Sequence, residues 1–450
     1  MCEALSIPNL VKAKAKKMDE WGWEKLPDYI ELYEFDTNGD EETRLVMPRG
    51  FLERFMVGME AFGGEIVLKE GRCWRSVFRI GDKVDLRRWQ VPQIETLRSW
   101  EQGILKAPAG SGKTVTMLAL IQMLACKSIV IVNTKDIIWQ WQERARTFLG
   151  EHYPVGQIGD GKFDVSPYLT IATAQTLNSR FDELEEQGFF DSFSFVCLDE
   201  CHHATAETYN KILNRFSSRF RFGVSATPDK TGDFELAVNV LGPIIHVTHP
   251  HDVDTLTKPK VVRVPTKFGY GFRGHKNRWQ RSNYGDMIKA LISNPERNRL
   301  IIDVIKANAG HHQLLVTKRL EHIQILEDLL LDEGWNEALV RLTGKDSNEH
   351  RDEAVALIGS TPGLMLSTLA DEALDIPRLD RIILPFPQKN TGLVTQQVGR
   401  VERIADGKAD AIIFDIVDGN VGVLHSQWKA RRFEVYEARG YKIETWRTEP

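Results

Sequence analysis

"GILKAPAGSGKT" (Gly103–Thr114) decides how this chain folds. A short apolar run enters a glycine-bearing turn, and a Lys-Thr pair opens a helical pattern, "KTVTMLALIQMLA". That is the sequence form of a strand–loop–helix phosphate cradle. Gly110 and Gly112 let the backbone wrap closely around phosphates with its N–H groups inward, and Ala109 and Ser111 complete the loop. Lys113 is placed to reach the β- and γ-phosphates of a nucleoside triphosphate, and Thr114 to hold Mg2+ through its hydroxyl. The common pattern begins with glycine, where this chain has Ala107. Alone, the loop implies only nucleoside triphosphate binding.

Outward from the loop, near-continuous apolar runs alternate with helical patterns. "SIVIVN" (128–133), "YLTIAT" (168–173), "FSFVCLDE" (193–200) and "RFRFGVSAT" (219–227) read as buried strands. Strands of this kind separated by helices predict a parallel sheet covered on both faces. The alternation pauses over 250–295, where prolines, glycines and the basic run "RGHKNRWQR" (273–281) read as a linker or small insertion. It resumes with "QLLVT" (313–317), "ALVRLTG" (338–344), "GLMLST" (363–368), "RLDRIILPF" (378–386) and "DAIIFDIVD" (410–418). The expected fold class is α/β: two tandem parallel-sheet domains at 84–250 and 296–450, joined by 251–295. An α+β accessory domain is expected over 1–83, with a helix leading into a hairpin.

"FVCLDECHHA" (195–204) supplies the acids that a phosphate loop needs. Asp199 is the candidate second ligand to Mg2+, and Glu200 the candidate general base for an attacking water. Cys197, Cys201, His202 and His203 crowd the same stretch and raise zinc as an alternative. The cysteines flank the acids rather than forming a C-x-x-C knuckle, and no second ligand pair appears elsewhere. Further along, "QQVGRVER" (396–403) spaces Gln396, Arg400 and Arg403 three to four residues apart. That spacing predicts one helix face carrying planar guanidinium groups suited to spreading phosphate charge.

With loop, "DECH" and "QQVGRVER" in this order, residues 85–440 resemble a superfamily-2 helicase of the DExH type. The first motif of that family is A-x-x-G-x-G-K-[ST], so Ala107 matches it. The resemblance implies two RecA-like domains that bind ATP between them and close on it. It also implies further roles, residue by residue. In "LRRWQ" (86–90) Gln90 reads the adenine, with Gln93 as a rival. In "NTKDIIWQW" (133–141) Thr134 and Lys135 lie near the nucleic-acid backbone, as do Thr173 and Gln175 in "IATAQTL" (171–177). His202, with Ser225 and Thr227 of "SATP" (225–228), couples hydrolysis to strand binding. In "LSTLADEALDIP" (366–377) Thr368 faces nucleic acid and Asp375 the nucleotide, while Gln396 also contacts the nucleotide. Ala373 stands where the family often has glycine.

Within the superfamily the motifs look most like the group of XPB-like helicases, type III restriction motors and phage UvsW-type enzymes. That implies DNA as substrate, 3′-to-5′ tracking, and work in repair, recombination or fork remodelling. Contact is expected mainly through the backbone, without sequence specificity. Two other readings stay open: an RNA-directed helicase, and a nucleotide-gated DNA clamp that recruits partners without unwinding. The N-terminal segment is either a duplex-binding module or a packing domain, and is where a protein partner is expected.

Composition sets bounds on these readings. The 450 residues are 42% hydrophobic and 27% charged, which suits large buried cores. A net charge of −5 argues against a protein that coats nucleic acid with a uniformly basic surface. Basic runs at 12–17, 273–281 and 429–432 read as solvated surface. Five scattered cysteines fit reduced thiols, no apolar run approaches a membrane span, and no signal peptide is evident, so a cytoplasmic location is expected.

Overall fold

The computed structural model describes residues 6–8, 29–31, 34–36, 44–61, 71–230, 234–254, 256–271, 280–369, 376, 378–405 and 407–447. The chain forms two compact units, one of residues 1–108 and 112–249 and the other of residues 109–111 and 250–450. At the N-terminus, β1 (Ser6–Pro8) pairs antiparallel with β2 (Tyr29–Glu31), and β3 (Glu34–Asp36) with β4 (Arg44–Val46). A helix follows at Leu52–Ala61; the hairpin expected after it lies outside the described residues.

The first unit is built on an eight-stranded sheet. Its strands are β5 (Gln102–Lys106), β6 (Ser128–Val132), β7 (Val155–Gly159), β8 (Lys162–Asp164), β9 (Leu169–Thr173), β10 (Phe195–Asp199), β11 (Phe220–Ser225) and β12 (Ile244–Val247). The spatial order is β12-β5-β11-β10-β6-β9-β7-β8, parallel throughout except for the β7–β8 hairpin. Alternation within each strand shows why these runs are apolar end to end. In β10, Phe195 and Cys197 join the core on one face, and Val196 and Leu198 the core on the other. In β6, Val130 and Val132 divide from Ile129 and Ile131 in the same way. Each such side chain contributes roughly 1.5–3 kcal/mol by leaving water. The helix Lys113–Leu124 is buried around most of its circumference, as expected of a helix packed under a sheet and covered by others.

Residues 71–82 do not stand apart with the N-terminal segment. They run across the amino ends of three strands of this sheet. The Cys73 N–H donates to Ser217 O, the Val77 N–H to Ala125 O and the Lys127 N–H to Arg75 O. Arg75 also bonds Ser194 through its backbone N–H, and Arg72 pairs with Glu101.

The second unit carries β13 (Lys260–Pro265), β14 (His312–Val316), β15 (Ala338–Leu342), β16 (Gly363–Ser367), β17 (Arg381–Leu384), β18 (Ile412–Val417) and β19 (Lys442–Thr445). They form one all-parallel sheet in the order β15-β16-β14-β17-β18-β13-β19. β13 lies in the stretch expected to be a linker, yet pairs on both sides, with β18 and β19. Its "KVVRVP" is bracketed by Pro259 and Pro265, which masked it as loop. A helix over Gln280–Ile292 follows.

Buried ion pairs tie this unit together. Arg297 Nε donates to Asp418 Oδ1 at 2.9 Å with both side chains buried, and Thr266 Oγ1 donates to the same oxygen at 2.6 Å. Arg431 forks onto Asp415 at 2.7 and 3.0 Å. Its place in a basic run suggested surface, but it is 3% exposed. Removing one partner of a buried pair strands the other charge, at a cost of about 3–5 kcal/mol. Asp418→Ala is therefore expected to lower the urea midpoint of the second unit's unfolding markedly, while Lys442→Ala, at an exposed pair, leaves it nearly unchanged; fluorescence-monitored denaturation checks both.

Candidate nucleotide site and its surroundings

In a parallel sheet all carboxyl ends emerge at one edge. In the first unit, the residues expected to carry chemistry follow the ends of β5, β10 and β11. β5 runs into the loop where Gly110 (φ 77°) and Gly112 (φ 83°) take the left-handed backbone that favours glycine. A Cβ on Gly112 would meet Gln90 Nε2 at 2.6 Å, so a larger residue there would also displace the Gln90 amide from the loop. The helix begins at Lys113, and the Lys113 ammonium lies over the loop, 3.2 Å from Ala107 O and 3.4 Å from Pro108 O. Unbonded N–H groups of a helix start and its dipole favour an anion at this place. Thr114 lies in the first turn and is half-buried.

The two glutamines part company. Gln90 Nε2 donates to Gly112 O at 3.1 Å while its Oε1 accepts the Arg87 N–H at 2.9 Å, so it touches the loop itself. Gln93 is fully buried: Thr116 Oγ1 donates to its Oε1, and its Nε2 donates to Thr248 Oγ1, each at 2.7 Å. Both ends of Gln93 are therefore engaged within the core.

Asp199 ends β10. Trp141 Nε1 donates to its Oδ2 at 2.7 Å and the Glu200 N–H to its Oδ1 at 2.9 Å. Burial, and next the Glu200 charge, push the Asp199 carboxyl above the ordinary range, against the pull of Trp141 and Lys113. Glu200 has φ 47°, a left-handed conformation uncommon for a non-glycine residue. Its Oε2 accepts Ser225 Oγ at 3.0 Å and lies 3.3 Å from His202 Nδ1. Burial raises the Glu200 carboxyl, but the His202 bond, the Lys113 charge and the Ser225 bond outweigh it and hold it below the ordinary range. Ser225 Oγ also accepts the N–H of Thr227, itself 6% exposed. A half-buried, ionised carboxylate with one oxygen fixed in this way can take a proton from a neighbouring water.

Thr134 follows β6 and Thr173 ends the neighbouring β9, and pairing Val132 with Thr173 brings the two loops side by side. Lys135 is exposed and lies 3.6 Å from Asp160. The Thr173 hydroxyl is engaged inside the protein, 2.8 Å from Thr176 Oγ1, while Gln175 is exposed. In the second unit, Thr368 follows β16 and its N–H donates to Leu342 O. Asp375 lies outside the described residues.

The arginines depart from expectation. The helix Thr391–Val398 holds Gln396 but ends at Gly399, so Arg400 and Arg403 lie on the turn beyond it and not on a shared helix face. The turn's carbonyls are claimed by other segments. Thr257 N–H donates to Glu402 O, and Lys408 Nζ donates to Val401 O and Arg403 O, each at 2.7 Å for the lysine. Glu402 is 1% exposed and accepts from Arg439 and the Tyr441 hydroxyl. Sequence reading missed Trp141, Thr257, Glu402 and Lys408. Trp141 looked like one more apolar residue of an amphipathic helix, and the other three carry no local signal.

Residues 83–230 match the family model described as the res subunit of type III restriction enzymes, and residues 296–405 that of the helicase conserved C-terminal domain. The chain belongs to superfamily 2 of the helicases. It is an ATP-hydrolysing helicase. The probable helicase D10 of Escherichia phage T5 is 26% identical to it over 352 residues, covering 76% of this chain and 73% of that one. The DNA 3'-5' translocase XPB2 of Sulfurisphaera tokodaii is 24% identical over 375 residues, covering 75% and 82%. The solved fragment of a putative HsdR subunit of a type I restriction enzyme from Vibrio vulnificus YJ016 shares the fold. Its TM-score is 0.59, with 16% identity over 98% of both chains. Two tandem RecA-like parallel-sheet domains are thus the helicase's architecture.

The oxygen donors of this helicase suit a hard divalent cation rather than zinc. Mg2+ is usually held by one or two carboxylates with waters and phosphates, which Thr114 and Asp199 fit. Cys197 and Cys201 lie in the cores on opposite faces of the sheet, and no group of three or more His, Cys, Asp or Glu able to hold a metal occurs among the described residues. No described helix is long and apolar enough to cross a membrane. Trp141→Phe keeps an aromatic, though smaller, side chain and deletes the N–H that lowers the Asp199 pKa. A hydrogen bond to a charged group is worth about 1.5–3 kcal/mol, or roughly one pH unit or more. The acid limb of kcat/KM for ATP is therefore expected to move to higher pH in this variant, as a pH-rate profile will show.

Proposed function

We propose that this helicase is an ATP-driven motor on DNA, unwinding or remodelling forks and branches in repair, recombination or replication. The observation that carries the motor reading is the shared Glu200 carboxylate: one acid bonds both Ser225 of "SATP" and His202 of "DECH". A static ATPase has no need to join its hydrolytic acid to a second motif in this manner. DNA as substrate and 3′-to-5′ tracking are supported by the relative named as a DNA translocase of that direction.

Each residue then takes a role. Gln90, with Ala109, Gly110, Ser111, Gly112 and Lys113, holds the nucleotide, and Lys113 neutralises the β- and γ-phosphates. Thr114 and Asp199 would hold Mg2+, which when bound supplies charge neutralisation at the transferring phosphate. Glu200 accepts the proton of the attacking water. Arg400 and Arg403 spread the charge that develops on phosphate, an effect typically worth roughly 10³–10⁵-fold in rate. Gln396 and Asp375 contact the nucleotide. Thr134, Lys135, Thr173, Gln175 and Thr368 contact the DNA backbone; at Thr173 the helix start that it caps, and not its hydroxyl, faces the strand. Residues 1–83 serve as an accessory segment, with 71–82 fastening it to the first sheet.

The test is a panel of ATPase rates with single-stranded, duplex, forked and four-way-junction DNA and with matched RNA. DNA is expected to stimulate more than RNA, and the effect to weaken as salt rises. Equal or greater stimulation by RNA would transfer the reading to an RNA helicase. Lys113→Ala is expected to abolish hydrolysis, and Glu200→Gln to bind ATP with little turnover.

A further inference from the structure

Glu200 is also one end of a chain of contacts that leads away from the nucleotide loop. The His202 ring that approaches its carboxylate lies 4.3 Å from the His203 ring, centroid to centroid. His203 stacks on Tyr209, with centroids 5.7 Å apart and planes 18° from parallel. The Tyr209 hydroxyl donates to Asn133 Oδ1 at 2.9 Å, and Asn133 Nδ2 lies 3.4 Å from His203 Nε2. With Oδ1 accepting from Tyr209, the Asn133 amide presents its NH2 to His203.

Asn133 follows β6 directly and precedes Thr134 and Lys135. Thr134 caps the helix Lys135–Leu149 by position alone: its side chain makes no capping bond, and its Oγ1 is buried without a hydrogen-bond partner among the described residues. Buried hydroxyls are usually bonded, so this loop carries an unmet donor and acceptor beside Asn133. Tyr209 is on the helix Glu207–Arg215, which Ile212 and Leu213 already anchor in the core. Its ring packs there too, but its hydroxyl is directed at Asn133 and contributes nothing to that core.

We propose that His203, Tyr209 and Asn133 are positioning residues that report nucleic-acid occupancy at Thr134–Lys135 to the Glu200 carboxylate through His202. The inference rests on the motor reading above and adds its route of coupling. A strand phosphate engaging the Thr134–Lys135 loop shifts Asn133. Tyr209 and His203 follow because each is bonded to that amide, and His202 follows His203 by ring contact. With Oε2 held by His202 and Ser225, the other oxygen of Glu200 is thereby set for accepting the water's proton. Coupling between two ligands through such a network is typically about 5- to 150-fold.

The experiment measures steady-state ATP hydrolysis, with and without saturating single-stranded and duplex DNA, for the full chain and its Tyr209→Phe, His203→Ala and doubly substituted variants. Tyr209→Phe keeps the ring and deletes only the O–H. Basal hydrolysis and DNA affinity without nucleotide are expected to stay within about twofold, while the stimulated-to-basal ratio falls about fivefold or more. The double variant is expected to lose no more than the worse single variant, since both cut one chain. Wild-type ratios in the variants, or equal losses of basal and stimulated rates, overturn the inference while leaving a DNA-stimulated wild type and the motor reading intact. A wild-type rate that no DNA raises overturns both.

Discussion

The left-handed backbone at Glu200 is the constraint on which the first unit's chemistry depends. Adjacent residues in a strand send their side chains to opposite faces. At the end of β10 the chain breaks that alternation, with φ 47° at a residue that has a Cβ. Such a conformation costs about 1–3 kcal/mol and persists where surrounding bonds over-determine it. Here those bonds are identifiable. Asp199 is pinned by Trp141 and by the Glu200 N–H itself, and Glu200 by Ser225 and His202. The result is two neighbouring carboxyls with opposed environments: burial and its neighbour's charge raise Asp199, and hydrogen bonds lower Glu200. One suits a metal ligand flanked by a lysine, and the other a base that is ionised at neutral pH.

The second unit solves a different problem, that of holding arginines where no regular element supports them. Once the helix Thr391–Val398 stops, the carbonyls of Val401, Glu402 and Arg403 need donors. Lys408 and Thr257 supply them. Glu402, between the two arginines, turns inward to Arg439 and Tyr441. Burial still raises its carboxyl despite the Arg439 charge, so that turn is held by bonds that its own desolvation partly offsets. Below it, the Arg297–Asp418 and Arg431–Asp415 pairs join strand ends to helices through the sheet's interior.

Much of this was legible in the sequence, for a physical reason. Strands of a parallel sheet are buried on both faces, so "SIVIV" and "FVCLD" read as unbroken apolar runs that no surface strand would produce. Phosphate loops need left-handed glycines at fixed offsets, and Gly110 and Gly112 announce themselves. What was hidden shares a different property: it depends on partners distant in sequence. β13 is a strand only because β18 and β19 lie on either side of it. Arg431 is internal only because Asp415, which also accepts from the Tyr436 hydroxyl, meets it. Arg400 and Arg403 keep helical spacing in the sequence, yet the helix stops at Val398 and the carbonyls beyond it bond Thr257 and Lys408. The strap of residues 71–82 is polar and short of pattern, since its bonds go to loops at strand ends.

We propose that hydrolysis at Lys113, Asp199 and Glu200 is converted into movement along DNA. Displacement of a third strand from a triplex by the protein moving along the underlying duplex measures this directly, with a tailed-duplex strand-release assay alongside. Displacement is expected to require ATP, to fail with a non-hydrolysable analogue, and to proceed at a rate that tracks hydrolysis. DNA-stimulated hydrolysis with no strand displaced from either substrate would contradict it, and would make the protein a nucleotide-gated clamp instead.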